Sequence, residues 1–178
     1  LNPSDDVETR AAIQALASFG GPAYVRLGRL AVPVINDVPG YRFEIGKGIQ
    51  LREGNDVAIL ATGLMVKAAL RAGELLQNEG IHARVINIHT IKPLDRELVL
   101  QAAKETGLLV TVEEHSVIGG FGSAVSELCA EEYPVRVVKI GVNDCFGSSG
   151  PALALLDHYG LNAQRIVETV KQALALKC

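Results

Sequence analysis

Read from the N terminus, the apolar positions change period several times. Ser4 precedes two acids, Asp5 and Asp6, a start that caps a helix and suits its dipole. Val7, Ala11, Ala15, Leu16 and Phe19 then keep helical spacing until Gly20-Gly21-Pro22 breaks it. Ala23–Leu27 reads as a strand. One helix and one strand cannot close a core, so this opening reads as the tail of a domain whose body lies elsewhere. From Leu30 to Gly48 the period is lost among Pro33, Pro39, Gly40, Gly46 and Gly48, which predicts a linker.

Beyond the linker, strand and helix patterns alternate. Val57–Ala61 is a continuous apolar run of the kind covered on both faces. Met65, Ala68, Ala69, Ala72, Leu75 and Leu76 mark an amphipathic helix closed by Gly80. Ala83–Ile88 is the next strand, and Asp95–Lys104 a helix capped by Asp95 and stopped by Gly107. Leu108–Val112 is again a strand, followed by a helix with Phe121, Ala124, Val125, Leu128 and Cys129 on one side. Val135–Ile140, interrupted by Arg136 and Lys139, predicts a strand nearer an edge. Two helices, near Pro151–His158 and Asn162–Leu176, finish the chain. No hairpin signal joins consecutive strands. The fold class expected is therefore α/β, a three-layer, mostly parallel sheet whose crossover helices return over it. The division expected is a tail at 1–30, a linker at 31–50 and the main domain at 51–178.

Composition narrows the function classes. Of 178 residues, 48% are apolar and 21% charged, an ordinary globular balance. A net charge of −3 and an isoelectric point near 5.8 exclude nucleic-acid binding through bulk positive charge. With 4% aromatics and no Trp, base-stacking platforms are not expected either. Apolar runs such as Val57–Val66 fall short of a membrane span, and no basic-then-apolar leader opens the chain, so no membrane partner is expected. Cys129, Cys145 and Cys178 form neither a metal-type pair nor a disulfide framework, which suits a reducing, cytoplasmic location. A start at Leu1 rather than Met, beside a helix cap, reads as a piece of something longer.

In an open parallel sheet, ligands favour the edge where strands end and their order reverses. The exits here are Thr62-Gly63, His89-Thr90, Glu113-Glu114-His115 and Gly141 to Asp144. Two His and two Glu on one edge suggest a metal site or an acid–base group, but their spacing selects no metal, and contacts to a neighbouring domain are the better expectation. Gly119-Gly120-Phe121-Gly122 stands where a dinucleotide fingerprint would, yet Val125 takes the third glycine's place, so a close-packed loop is expected instead. Gly46-Lys47-Gly48 lacks the spaced glycine and the hydroxyl of a phosphate loop. In Phe146-Gly147-Ser148-Ser149-Gly150-Pro151 the serines are read as helix caps rather than nucleophiles or an anion nest. His82 and His158 are read as structural, and Cys129 as core. Arg26 and Arg29, beside Gly28, suit either a bidentate grip on phosphate or carboxylate or a surface salt bridge, and spacing alone leaves both open.

Several segments together resemble a known family. Asn2-Pro3-Ser4-Asp5-Asp6 with Glu8-Thr9, Gly21-Pro22-Ala23-Tyr24-Val25-Arg26-Leu27-Gly28-Arg29, Ala61-Thr62-Gly63, Lys92-Pro93-Leu94-Asp95, Thr111-Val112-Glu113-Glu114-His115 and Gly119-Gly120-Phe121-Gly122 occur in the transketolase order. Over essentially its whole length the chain resembles the C-terminal part of a transketolase, in particular the C-terminal subunit of split enzymes. The Glu-Glu-His and Gly-Gly-Phe-Gly pair is also similar to deoxyxylulose-phosphate synthase and to the β subunits of 2-oxoacid dehydrogenase E1. Phe146-Gly147-x-Ser149-Gly150 with Tyr159-Gly160-Leu161 is more similar to transketolase.

The resemblance implies a thiamine-diphosphate enzyme that moves a two-carbon ketol unit between sugar phosphates. It implies that residues 1–30 are the end of the pyrimidine-binding domain and that the rest is the C-terminal domain, which makes dimer contacts. Thiamine diphosphate and a divalent cation (Mg or Ca) would then be held by parts outside this sequence, with none expected on this chain. It implies an N-terminal transketolase subunit or domain as partner, a homodimer, and no catalysis by the chain alone. One site residue carries over: the arginine that binds the sugar phosphate just before the interdomain linker aligns with Arg29. Arg26 has no usual counterpart, and Leu30 replaces the glutamine that often follows the arginine. The competing readings are the E1 β subunit or the synthase, and, from a different class, a non-catalytic α/β assembly module.

Overall fold

A computed structural model describes residues 1–176, so Cys178 lies outside the described residues. The elements are α1 (Asp6–Ala17), β1 (Ile49–Arg52), β2 (Val57–Ala61), α2 (Met65–Asn78), β3 (Ala83–Asn87), α3 (Arg96–Thr106), β4 (Leu108–Ser116), α4 (Phe121–Glu132), β5 (Arg136–Val142), α5 (Ala152–His158) and α6 (Ala163–Ala175). The strands form one sheet in the order β1-β3-β2-β4-β5. β3, β2, β4 and β5 run parallel, while β1 lies antiparallel on β3, pairing Ile49 with Asn87. This is the expected α/β sheet, mostly parallel.

The alternation of side chains along β2 explains the layers. Val57, Ile59 and Ala61 join the core under α2 and α6, while Ala58 and Leu60 join the one under α3 and α4. Every residue of β2 and of β3 is buried, the consequence of lying between two helix layers. β5 forms the edge, as its charged positions predicted, with Arg136 and Lys139 exposed. α3 begins at Asp95, whose side chain accepts from the Leu98 amide at 3.2 Å, and ends at Gly107 in the left-handed region (φ 63°). No helix among the described residues is long and apolar enough to cross a membrane.

Three local expectations fail, each for a physical reason. Ala23–Leu27 is irregular rather than a strand, because among the described residues its backbone bonds to Leu1 alone: the Leu1 ammonium donates to the Tyr24 carbonyl, and the Arg26 amide to the Leu1 carbonyl. β1 opens inside the stretch read as linker; it is short and half-buried on both faces, so no alternation announced it. The cap of α1 is Asp5 rather than Ser4, and the helix buries Glu8 and Ala12 instead of the apolar stripe, leaving Phe19 exposed.

Candidate functional site

β2 and β4 are neighbours whose following helices lie on opposite faces, so the crevice at their carboxyl ends is where this topology takes ligands. Here the N-terminal segment lies across the ends of β3 and β2 and forms one wall beside it. The Asn2 amide donates to the His89 carbonyl beyond β3 at 2.8 Å, and the Asn2 carbonyl accepts from the Gly63 amide beyond β2 at 3.1 Å. Gly63 adopts φ 58°, and a Cβ there would lie 2.6 Å from the Asn2 side-chain Nδ2, so glycine is favoured on both counts.

A buried polar network fixes this placement. Glu8 is fully buried. Its Oε2 accepts from the Ser4 amide (2.7 Å) and hydroxyl (2.8 Å), and its Oε1 from the Tyr41 hydroxyl (2.9 Å) and Asn87 Nδ2 (2.8 Å). Asp5 caps α1 through the Glu8 amide and accepts from the amides of Ile35 (2.7 Å) and Asn36 (2.8 Å). Burial pushes the Asp5 carboxyl up, but the amides of Glu8, Ile35 and Asn36 outweigh it and hold it below the usual carboxylate range. Burial, then the neighbouring Glu8 carboxylate, pushes the Tyr41 hydroxyl well above its ordinary value. His89 stacks on Phe43 at 4.3 Å between ring centroids, and burial pushes its pKa down. Sequence reasoning missed this network, although Asp5-x-x-Glu8 has the spacing of a capping box.

The four acidic and basic residues at the edge have separate duties. Glu113 is buried and caps α4, accepting from the amides of Phe121 (2.6 Å) and Gly122 (2.7 Å). Gly120 and Gly122 leave no room for a side chain, since a Cβ would run into the Glu113 carboxylate and the Thr111 hydroxyl respectively. The glycine cluster is the expected close-packed loop. Glu114 pairs with Arg26 at 3.3 Å, His115 is exposed with Nδ1 3.1 Å from the Ser116 carbonyl, and His89 lies buried beside Thr90. No group of three or more His, Cys, Asp or Glu among the described residues is placed to hold a metal ion.

The structure also separates the two arginines. Arg26 is paired and lines a groove of about 1180 Å³ whose walls include Leu1, Phe19, Tyr24, Leu94 and Phe121. Arg29 stands outside that lining, is exposed, and has no hydrogen-bond or ion-pair partner among the described residues. The remaining candidates are peripheral. Ser148 and Ser149 are exposed and cap nothing: α5 starts at Ala152, its N-cap is Pro151, and no side chain caps it. His82 is exposed and its backbone amide donates to the Asp56 carboxylate at 2.6 Å, and His158 is exposed with its ring at an edge contact with Tyr159. Cys129 is buried as expected, which pushes its thiol up.

A sequence profile described as "Transketolase, C-terminal domain" matches residues 46–166. The chain belongs to the transketolase C-terminal domain family. It is 45% identical over 98% of its length to the 6-deoxy-6-sulfo-D-fructose transketolase subunit of a Clostridium species, covering 54% of that protein. It is 42% identical over 99% of its length to a 1-deoxy-D-xylulose-5-phosphate synthase of Geobacter sulfurreducens, covering 28% of it. A solved structure of a split-gene transketolase, described as an inactive "beta4" tetramer, superposes with a TM-score of 0.93 at 52% identity, over 99% of this chain and 57% of the other. The chain thus spans about half the length of the transketolase subunits it matches.

Proposed function

We propose that this chain is the C-terminal part of a split-type transketolase that moves a two-carbon ketol unit between sugar phosphates. The observation that carries the reading is whole-length identity to a separate transketolase subunit, which extends through residues 1–45, ahead of the matched family domain. In this reading residues 1–30 are the end of a pyrimidine-binding domain, 31–50 a linker and 51–178 the C-terminal domain. An N-terminal subunit or domain completes the enzyme, and the chain alone does not catalyse.

The described residues do not fit a thiamine-diphosphate metal: no carboxylate cluster is present, and the N terminus of α4 is already neutralised by Glu113. In this reading the cofactor and its divalent cation are held by the partner part. This chain contributes Arg29, an exposed and unpaired guanidinium suited to the terminal phosphate of the sugar. It also contributes self-association, on the pattern of the relative described as a tetramer. Identity to a deoxyxylulose-phosphate synthase supports a second reading with the same phosphate grip.

The test is Arg29→Ala in the enzyme reassembled with its N-terminal part. A charge-assisted bidentate contact contributes about 1.5–3 kcal/mol, so kcat/KM for phosphorylated sugars should fall roughly tenfold to more than a hundredfold. Turnover of unphosphorylated sugars should change little. Equal losses on both would remove Arg29 from the site. Activity on pyruvate with glyceraldehyde phosphate, but not on ketose donors, would favour the synthase reading.

A further inference from the structure

Arg29 sits in a stretch, residues 27–34, that makes no hydrogen bond or ion pair among the described residues. Its place is therefore set by the points at which the chain is tied down on either side. On the C-terminal side, the Ile35 and Asn36 amides donate to the Asp5 carboxylate. On the N-terminal side the tie is Arg26. Its amide donates to the Leu1 carbonyl at 2.9 Å, and its Nη2 donates to Glu114 Oε2 at 3.3 Å. Arg26 precedes Arg29 by three residues and Ile35 follows it by six. Three residues reach about 10 Å at most, so the nearer tie limits Arg29 more tightly.

The two ends of this ion pair differ in stiffness. Glu114 follows the buried Glu113, whose carboxylate holds the Phe121 and Gly122 amides, and precedes Ser116, which pairs with Val142 on β5. Its backbone is fixed from both sides. Arg26 lies in the irregular segment that no strand partners. The pair is a strut from β4 to the segment that carries Arg29, joining residues 88 positions apart in the chain. Both side chains are about one-third exposed, and such a pair adds little to stability. What it fixes is direction, because a guanidinium meets a carboxylate in few geometries.

We propose that Arg26 and Glu114 are a positioning pair for the substrate phosphate, holding the backbone so that Arg29 is ordered before the phosphate arrives. The proposal rests on Arg29 as the phosphate-binding residue and adds what aims it. Arg26 touches no substrate in this assignment. Without the strut, the cost of ordering residues 27–34 falls on the binding step and weakens the grip.

The experiment is steady-state kinetics of the enzyme reassembled with its N-terminal part, on phosphorylated and unphosphorylated sugars. Arg26→Ala and Glu114→Ala should each raise KM for the phosphorylated sugar about three- to tenfold, with kcat nearly unchanged. Unphosphorylated sugars should react as with the wild type. The exchanged pair, Arg26→Glu with Glu114→Arg, should recover most of the loss. Arg26→Ala added to Arg29→Ala should cost nothing further, since both act through one contact. If Arg29→Ala shows no phosphate-selective loss, the reading of Arg29 falls and the positioning pair with it. If Arg29→Ala shows that loss while Arg26→Ala leaves KM unchanged, the positioning pair alone is overturned. A loss in Arg26→Ala that Glu114→Ala does not share, or that the exchanged pair does not recover, overturns it too and makes Arg26 a direct phosphate contact. Equal losses on both kinds of sugar reduce the pair to a structural one and overturn the proposal.

Discussion

Between the sheet and the α2–α6 layer, packing is by Ile59, Val85, Val110, Ile166 and Val170, none with a polar side-chain atom. On the same sheet, at the end of β3, α1 is held through Ser4, Glu8, Tyr41 and Asn87, with Asn36 joined to Ser4. The two attachments respond to damage in different ways. An apolar core loses stability in proportion to the volume removed and lets neighbours relax into the gap. A buried carboxylate with four donors is closer to all-or-none, because removing it leaves each donor without water and without a partner. Its compensation is specificity: each donor fits one geometry, so the network sets where residues 1–48 sit, and with them Arg26 and Arg29. Under the proposed function this matters, since a phosphate grip works only when its guanidinium is delivered to a defined place.

The largest expected effect tests this contrast directly. Glu8→Ala should cost about 3–5 kcal/mol, as for other buried charged groups stripped from their partners. Hydrogen exchange should show protection lost across α1 and residues 35–43 while β2 and β4 keep theirs. Leu60→Ala should cost about 2–5 kcal/mol, with protection lost evenly over the sheet. If Glu8→Ala lowers protection uniformly instead, the N-terminal attachment is not a separate unit.

Acid should act on the network before the core. The folded Asp5 pKa lies below its usual value, so its contribution is present above the unfolded pKa, about 3.9, and is lost as pH falls through the folded value. His89 is also lowered, so burying it neutral is favourable above about 6.5, and that advantage is lost as pH falls through its folded pKa. Both signs make the protein less stable in acid. Urea midpoints measured from pH 8 to pH 3 should fall, and Asp5→Asn should flatten the part below pH 5. A midpoint that rises toward pH 3 would contradict both assignments.

The smallest effect is expected at the surface pair. Arg26 and Glu114 are each about one-third exposed (35% and 34%), so Arg26→Ala should change stability by about 0.2–1 kcal/mol. Calorimetric melting of Arg26→Ala and Arg29→Ala side by side should show a small drop for the first and none for the second. A large drop for Arg29→Ala would mean it has a structural duty rather than a free guanidinium.

Much of this architecture was legible beforehand. Val57–Ala61 announces itself because a strand covered on both faces favours an unbroken apolar run, and Leu108–Val112 and Ala83–Ile88 stay close to that pattern, broken by Thr111 in the one and by Arg84 and Asn87 in the other. Asp95 and Gly107 mark α3 because capping is local chemistry, decided within one turn. The phosphate-binding candidate was legible only through the family motif, since an exposed arginine carries no signal of its own. Glu8 was hidden for the opposite reason. A glutamate in the first turn of a helix reads as a surface dipole partner, and nothing nearby in the chain says that Tyr41 and Asn87 will close over it.

The sequence by itself determined the four parallel strands, their alternation with helices and helix ends such as Asp95 and Gly107, because periodicity and capping depend on neighbours within a few residues. Tertiary structure decided the rest. It left Ala23–Leu27 without a strand, since a strand exists only where a second backbone pairs with it, and among the described residues Leu1 is the single partner. It turned Ile49–Arg52 into a strand by laying it along Asn87 and Ile86. It also divided the acidic and arginine candidates into a helix cap at Glu113, an ion pair at Arg26 and an unpaired guanidinium at Arg29. Those duties follow from which groups meet across distant parts of the chain, and spacing along the sequence carries no record of that.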